Sequence, residues 1–317
     1  SSLHTTTCPG EWNSGTMLPK DIFTHTFSSQ GVYDYVCLYN LGTITGRIVC
    51  AFPSPTPRPT LMTSPTPEPV SDTSWAVDFD GNGVSDIGIF RESSGLWAVR
   101  GITRCYFGSS GDEPVPGDYD GDGTTEIGIY RSSAGLWAVQ GVTRTYFGSS
   151  SDQPLPKDYD GDGSCDIGIF RATSGLWAVK GVTRSYFGGS SDEPVPGYFD
   201  GDSTADIGIF RDSSGLWAVS GLTRIYFGAS GDETVPGDYD GDSVWDIAVF
   251  RDSSGLWAVR GVTRAYFGSS SDQPLPAVYD GSGPDSIGIF RDSTGLWAVR
   301  GLTRVYYGSS GDQPVTR

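Results

Sequence analysis

An acidic, glycine-bearing string recurs along this chain at a spacing that leaves few folds open to it. DFDGNG, DYDGDG, DYDGDG, YFDGDS, DYDGDS and VYDGSG begin at residues 78, 118, 158, 198, 238 and 278, a period of 40 without insertion. Six copies of GLWAV keep step with them and carry Trp97, Trp137, Trp177, Trp217, Trp257 and Trp297. Each is followed by a T-R-x-Y-[FY]-G string, from Thr103 and Arg104 to Thr303 and Arg304. A repeat of this size is one supersecondary unit that buries its apolar surface only against its neighbours, so the copies must stack.

Each copy reads as four short strands. In the second they are expected over 113–120, 127–131, 136–141 and 142–148, separated by acidic-Gly, Ser-Ser-Gly or Gly-Ser-Ser turns. No segment carries a helical period, and Gly, 45 of 317 residues, costs roughly 0.8–1.0 kcal/mol against Ala inside a helix. Both faces of the strands are apolar: Ile87 and Ile89 alternate with Gly88 and Phe90, and Leu96 and Ala98 with Trp97 and Val99. Strands buried on both faces belong to a sheet held between other sheets. Four-stranded units of about 40 residues stacked radially make a β-propeller. The fold class is therefore all-β, with six blades over residues 74–317.

The inner strands overcount the blades. Each acidic loop needs one inner strand before it, yet Ser74–Asp80, five internal strands of the EPVPGDYD type and the tail Asp312–Thr316 make seven candidates for six loops. Either the tail closes the ring beside the first blade, or one strand is surplus and free to pair with another molecule.

The acidic loops carry the chemistry. In D-x-D-x-D-G-x-x-[DE] alternate residues of a tight turn aim carboxylates at one point, and Ca²⁺ takes six to eight such hard oxygen ligands. Complete sets are Asp118, Asp120, Asp122 and Glu126; Asp158, Asp160, Asp162 and Asp166; and Asp238, Asp240, Asp242 and Asp246. Asp78, Asp80, Asn82 and Asp86 differ only by a neutral oxygen ligand. The fourth copy has Tyr198 in the first position and keeps Asp200, Asp202 and Asp206, so a weaker site is expected. The sixth, with Val278, Asp280, Ser282 and Ser286, is expected to bind nothing. Four Ca²⁺ sites and a weak fifth follow.

These blades resemble FG-GAP/VCBS propeller repeats, such as those of integrin α-subunit heads and bacterial surface proteins. The resemblance covers residues 74–317 and implies a calcium loop that joins the innermost strand to the next one and stabilises the blade. The metal is then structural, and no catalytic residue is implied. The repeated Trp has two readings, packing between blades or a row of sugar-stacking platforms. The Arg91 and Arg104 series recur beside Asp112 and its equivalents, which suggests ion pairs between blades.

Residues 1–50 are not a repeat. HTTT, W-x-S-G-x-x-L-P, F-x-H-T-F, G-x-Y-x-Y-x-C and a closing G-x-[IV]-V resemble the C-terminal half of a plastocyanin-like cupredoxin. In that family two His, a Cys and usually a Met hold copper. Here His4 and Cys37 match, Asn40 stands for the second His, Ile44 falls at the Met position, and His25 matches no ligand, so copper is not expected. The resemblance also brings Cys8 to the pole of Cys37 and implies a Cys8–Cys37 disulfide. Half a sandwich leaves a sheet edge open. Either the chain extends upstream, or another molecule completes the module. Together with a surplus strand, the second alternative implies head-to-tail strand exchange and a filament.

Residues 51–73 form a linker in which seven prolines, Pro53 to Pro69, alternate with Ser and Thr. It is expected to be extended, either bare or an O-glycosylated stalk. The formal charge of −17 argues against nucleic acid, and half of the 38 acids sit in the loops. No run approaches the roughly 18 apolar residues of a membrane span. Five cysteines, calcium loops and a Pro/Thr stalk indicate an oxidising, extracellular or cell-surface location; any of Cys50, Cys105 and Cys165 could bond to a neighbouring subunit, and their partners are left open. The only histidines precede the propeller, which therefore lacks an imidazole base. The expectation is a non-enzymatic adhesion or filament subunit that forms homo-oligomers or homopolymers. The alternative is a multivalent carbohydrate-binding propeller, and a glycan or protein ligand fits either reading.

Overall fold

The computed structural model describes residues 77–281 and 283–315, and in the N-terminal stretch 5, 7–8, 12–18, 22, 24, 31–37 and 45–50. The expected linker, 51–73, lies outside the described residues. The chain divides into two compact units, Ser1–Pro67 and Glu68–Arg317.

The larger unit is a six-bladed propeller of four-stranded antiparallel sheets. Blade two runs Glu113–Pro114, Gly128–Arg131, Leu136–Val139 and Thr143–Tyr146 from its inner to its outer strand. The pattern repeats in step to Asp272–Pro274, Gly288–Arg291, Leu296–Val299 and Thr303–Tyr306. The inner strand is shorter than its expected span because the acidic loop claims the residues from Asp118 onward. An isolated bridge from Gly117 to Glu126 is all the pairing that remains there. Among the described residues the helical content is two 3₁₀ turns, Ser132–Ala134 and Asp212–Ser214.

The core lies between blades. Side chains alternate across each strand, so Phe90 and Trp97 share one face of blade one while Ile89 and Ala98 share the other. Phe90 and Trp97 pack on Ile129 and Ala138 of blade two. Ile89 and Ala98 receive Phe290 and Trp297 of blade six. All six repeat Trp side chains are 0–1 % exposed, and each ring lies 5.1–5.3 Å from the aromatic ring opposite. Each indole N–H donates to a backbone carbonyl of the outer strand's end, Trp97 to Phe107 at 2.9 Å for instance. The tryptophans are packing residues; no sugar can reach them.

The tail closes the ring. Gln313 pairs with Phe90 and Pro314 with Ile89, and blade one becomes Gln313–Pro314, Gly88–Arg91, Leu96–Val99 and Thr103–Tyr106. The Val315 N–H donates to the Gly88 carbonyl at 3.0 Å, as Val115 does to Gly128 in blade two at 2.9 Å. Asp86 N–H donates to the Val77 carbonyl at 2.9 Å, as Glu126 does to Gly117 at 2.8 Å. Val315 and Val77 thus occupy the places of Val115 and Gly117. The first and seventh candidates are two parts of one inner strand, and the tail is not free to pair elsewhere.

The Arg–Asp pairs form, but within a blade. Asp272 and Arg291 are cross-strand partners at the start of blade six's inner strand, and the pair recurs in every blade. In the closing blade Arg91 Nε lies 2.6 Å from Asp312 Oδ1, with Nη2 2.8 Å from Oδ2. Burial alone would raise the Asp312 carboxyl; the Arg91 guanidinium overcomes it and holds the group below its usual range. Arg104 and its equivalents are not the partners. They lie on the exposed face of the outer strands.

The smaller unit contains one antiparallel sheet, ordered Trp12–Asn13, Thr7–Cys8, Gly31–Val36 and Thr45–Cys50. His4, His25, Asn40 and Ile44 lie outside the described residues. The expected Cys8–Cys37 bond is not formed: both cysteines are buried and neither is in a disulfide. Thr7 pairs with Val36, so Cys8 is set opposite residue 35 and not 37. The Cys37 sulfur instead accepts the Thr5 N–H at 3.4 Å. Cys105 and Cys165 lie in separate blades and neither is in a disulfide.

Candidate metal centres

Loop two shows how the sequence makes a carboxylate cage. Asp118 leaves the inner strand with its side chain folded over the turn that follows. Its Oδ1 accepts the N–H groups of Gly121 and Asp122 at 2.7 and 3.2 Å, and Oδ2 that of Gly123 at 2.8 Å. The turn closes only because Gly121 and Gly123 take φ of 74° and 86°. Asp122 Oδ1 accepts both donors of Thr124, and Glu126 Oε2 accepts the Tyr119 N–H at 2.7 Å. Asp118, Asp120, Asp122 and Glu126 then present oxygens within 4.8 Å of one another.

Three other loops reproduce this convergence. Asp78, Asp80 and Asp86; Asp158, Asp160 and Asp166; and Asp238, Asp240 and Asp246 form equivalent groups. Asp162 and Asp242 do not join theirs. Their Oδ1 accepts the N–H two residues on, Ser164 and Val244, as Asn82 does from Val84 and Asp122 from Thr124, so this bond is common to the four loops and does not decide which acid joins. The donor set is hard oxygen throughout, which fits Ca²⁺.

The acid that closes each loop is the most perturbed. Burial, opposed by one backbone N–H and reinforced by the neighbouring carboxylates, raises Asp86 to about 6, Glu126 to about 7 and Asp246 to about 6. Asp166 is raised for the same reasons. Like charges are being held together, and a divalent cation would remove the conflict.

Loops four and six solve the same problem with apolar contact. Asp200, Asp202 and Asp206 do not converge, and Tyr198 turns its ring edge-on to Trp245 of the next loop, at 5.4 Å and 81°. Without a first Asp there is no side chain to gather the loop's N–H groups. In loop six Val278 takes that position and is buried. Loop five keeps Asp238 but has Ser243 where loop two has Gly123. Asp238 Oδ2 captures the Ser243 N–H at 2.9 Å and holds that residue at φ 69°, strained for a side chain bearing Cβ.

The loops are also tied to one another. The eighth residue of each donates its N–H to the carbonyl of the first residue of the loop before it. Thr125 donates to Asp78 at 2.7 Å, Cys165 to Asp118 at 2.5 Å, Ala205 to Asp158 at 2.7 Å and Trp245 to Tyr198 at 2.8 Å. Asp285 to Asp238 at 2.6 Å and Ser85 to Val278 at 2.7 Å close the circle. A residue that offers its side chain to a cation therefore offers its carbonyl to the next blade. The side chains at this eighth position have no common type, so no motif announces them.

One of them, Asp285, is out of keeping. Its Oδ2 accepts the Asp238 N–H at 3.0 Å, as Thr125 Oγ1 accepts that of Asp78 at 3.0 Å. Its Oδ1 is buried without a hydrogen-bond partner. Burial drives this carboxyl well above its usual range.

No protein-family model matches the chain, and no curated protein matches it.

Proposed function

We propose that this chain is an extracellular, calcium-stabilised, non-enzymatic surface protein of the FG-GAP/VCBS kind, serving as an adhesion or filament subunit. One observation carries the reading: four acidic groups converge at the same place in four blades, each linked through its first residue to the neighbouring blade. Such sites act on the whole ring and leave no single cleft distinguished. The propeller's lack of histidine supports a non-enzymatic role. With the tail engaged in blade one, head-to-tail strand exchange loses its donor. Assembly in this reading uses the edge of Thr45–Cys50, last in the order of the head sheet among the described residues.

Calcium titration of metal-stripped protein, read by calorimetry, tests the metal. A site held at a hundred times its Kd stabilises by about 2.7 kcal/mol. At about 2–4 °C per kcal/mol for a domain this size, four sites correspond to a loss of more than about 20 °C on chelation. An unchanged melting curve removes calcium from the account. Electron micrographs of concentrated protein test assembly, and strictly monomeric particles end the filament reading.

A further inference from the structure

We infer that the outer rim of the propeller binds an acidic polysaccharide through the exposed pair Arg104 and Tyr106 and its counterparts in the other blades. The six repeats show which positions the fold fixes and which it leaves free. Trp97 is invariant because it is buried, and Gly101 because it sits at φ 81°. Position 105 drifts through Cys105, Thr145, Ser185, Ile225, Ala265 and Val305, and position 100 through Arg, Gln, Lys and Ser. Between them Arg104 and Tyr106 recur without change in all six copies. Neither is needed for packing: the arginines are exposed, and the tyrosines are 67–74 % exposed, the largest apolar groups on the propeller surface.

Their placement makes a repeated site. Residues two apart on a strand share a face, so Arg104 and Tyr106 project together from the outer strand. Across the sheet, Arg91 pairs with Leu96 and Leu96 with Tyr106, which lines the Arg91 side chain, about one-third exposed and paired with Asp312, up with the ring. Arg91 feels the Tyr106 hydroxyl electrostatically, and Arg131 feels that of Tyr146 in the same way. Arg104 also reaches the preceding blade, where it acts on the Tyr307 hydroxyl. Each rim position thus offers a flat ring flanked by guanidinium groups.

Charge selects the partner. Residues 100–108 and their equivalents hold ten cations and not one carboxylate, in a chain of net charge −17. Half of the acids sit in the calcium-type loops, and this outer stretch carries none. One or two cations per blade suit a polyanion of moderate charge density, and sugar rings have apolar faces that stack on tyrosine. The cations are too sparse for duplex nucleic acid, which carries one charge per ≈ 1.7 Å. This deepens the adhesive reading above and rests on it only for the biological setting.

The test uses the full chain, with calcium, on immobilised chondroitin sulfate. Binding is expected at low salt and falls steeply at high salt, and dextran, its uncharged counterpart, is not bound. The triple variants Tyr146→Ala/Tyr226→Ala/Tyr306→Ala and Arg144→Ser/Arg224→Ser/Arg304→Ser should each weaken binding by about tenfold or more. Both should keep the parent melting temperature, because the replaced side chains are exposed. Absence of binding, parent-like binding by both variants, or tighter binding of poly(dT) than of chondroitin sulfate overturns the inference. None of these outcomes touches the calcium reading, since the variants keep every loop and the chelator melt reads the loops alone.

Discussion

Replacing Asp285 by Thr should stabilise the propeller at neutral pH. The Asp285 carboxyl is 6 % exposed; one oxygen accepts the Asp238 N–H and the other has no partner. Thr125 shows that a threonine at this position accepts the equivalent N–H, through Oγ1 at 3.0 Å. The substitution keeps that hydrogen bond and removes the stranded oxygen. An unpaired buried polar group costs roughly 1–3 kcal/mol. With about 2 kcal/mol recovered, and about 2–4 °C per kcal/mol, the melting temperature should rise by about 4–8 °C. The sign with pH is fixed by the direction of the shift. A carboxyl raised in the folded state is harmless below its unfolded value of about 3.9 and costs stability as pH rises above it. The gain should therefore be present at pH 7 and vanish below about pH 4. Differential scanning calorimetry of parent and variant in metal-free buffer across this range is the assay. A variant no more stable than the parent at pH 7, or equally stabilised in acid, would refute the reasoning.

The metal-free propeller as a whole should lose stability between about pH 4 and pH 7. Asp86, Glu126, Asp206 and Asp246 are raised to about 6, 7, 6 and 6, so their contribution is full below the unfolded value and is lost as they ionise. Saturating calcium should flatten the profile, and a metal-free melting temperature that rises through this window contradicts the assignment. Ser243→Gly should add about 1 kcal/mol by relieving the left-handed backbone, read by urea denaturation, while Gly123→Ser should cost a similar amount. Arg91→Ala leaves Asp312 buried without its counter-charge, held only by the Ser309 N–H and hydroxyl, and should cost about 3 kcal/mol, the low end for such pairs because the Arg91 side chain is about one-third exposed. A loss well below about 1 kcal/mol would place this pair with solvent-screened surface bridges.

The parts of the fold that depend on one repeat at a time were legible in the sequence. Period, turn residues and two-sided apolar strands gave six four-stranded blades. The packing reading of Trp97 and its counterparts follows from the same pattern. Which loops gather their carboxylates was legible too, because Asp118 organises its turn through neighbours in sequence, and Tyr198 and Val278 remove that organiser. What escaped depends on register or on contacts between repeats. Asp112 and Arg131 are 19 residues apart, and only the pairing of Glu113 with Tyr130 makes them partners within one blade. The seven candidate inner strands became six once Val315 and Val77 proved to occupy the places of Val115 and Gly117 in a single inner strand. The Cys8–Cys37 bond failed on a register offset that a resemblance does not carry.

The loops that lost their ligands show what the others do. Every blade must hold the one before it through the eighth-residue N–H and the first-residue carbonyl, whatever occupies the first side chain. Where that side chain is Asp78, Asp118, Asp158 or Asp238, it gathers backbone N–H groups on both oxygens and stands among like charges. That arrangement is costly unless a cation completes it. Where it is Tyr198 or Val278, the same carbonyl is positioned by burial, in one case with Trp245 supplied by the next loop. On the calcium reading, cation and apolar contact are alternative ways of fixing one carbonyl. Blades four and six, fixed by packing, should stay coupled to their neighbours when the metal is withdrawn. Chelation should then loosen the ring from blades one, two and three, where three ligand-bearing loops follow one another. This run begins at the blade that the tail must close.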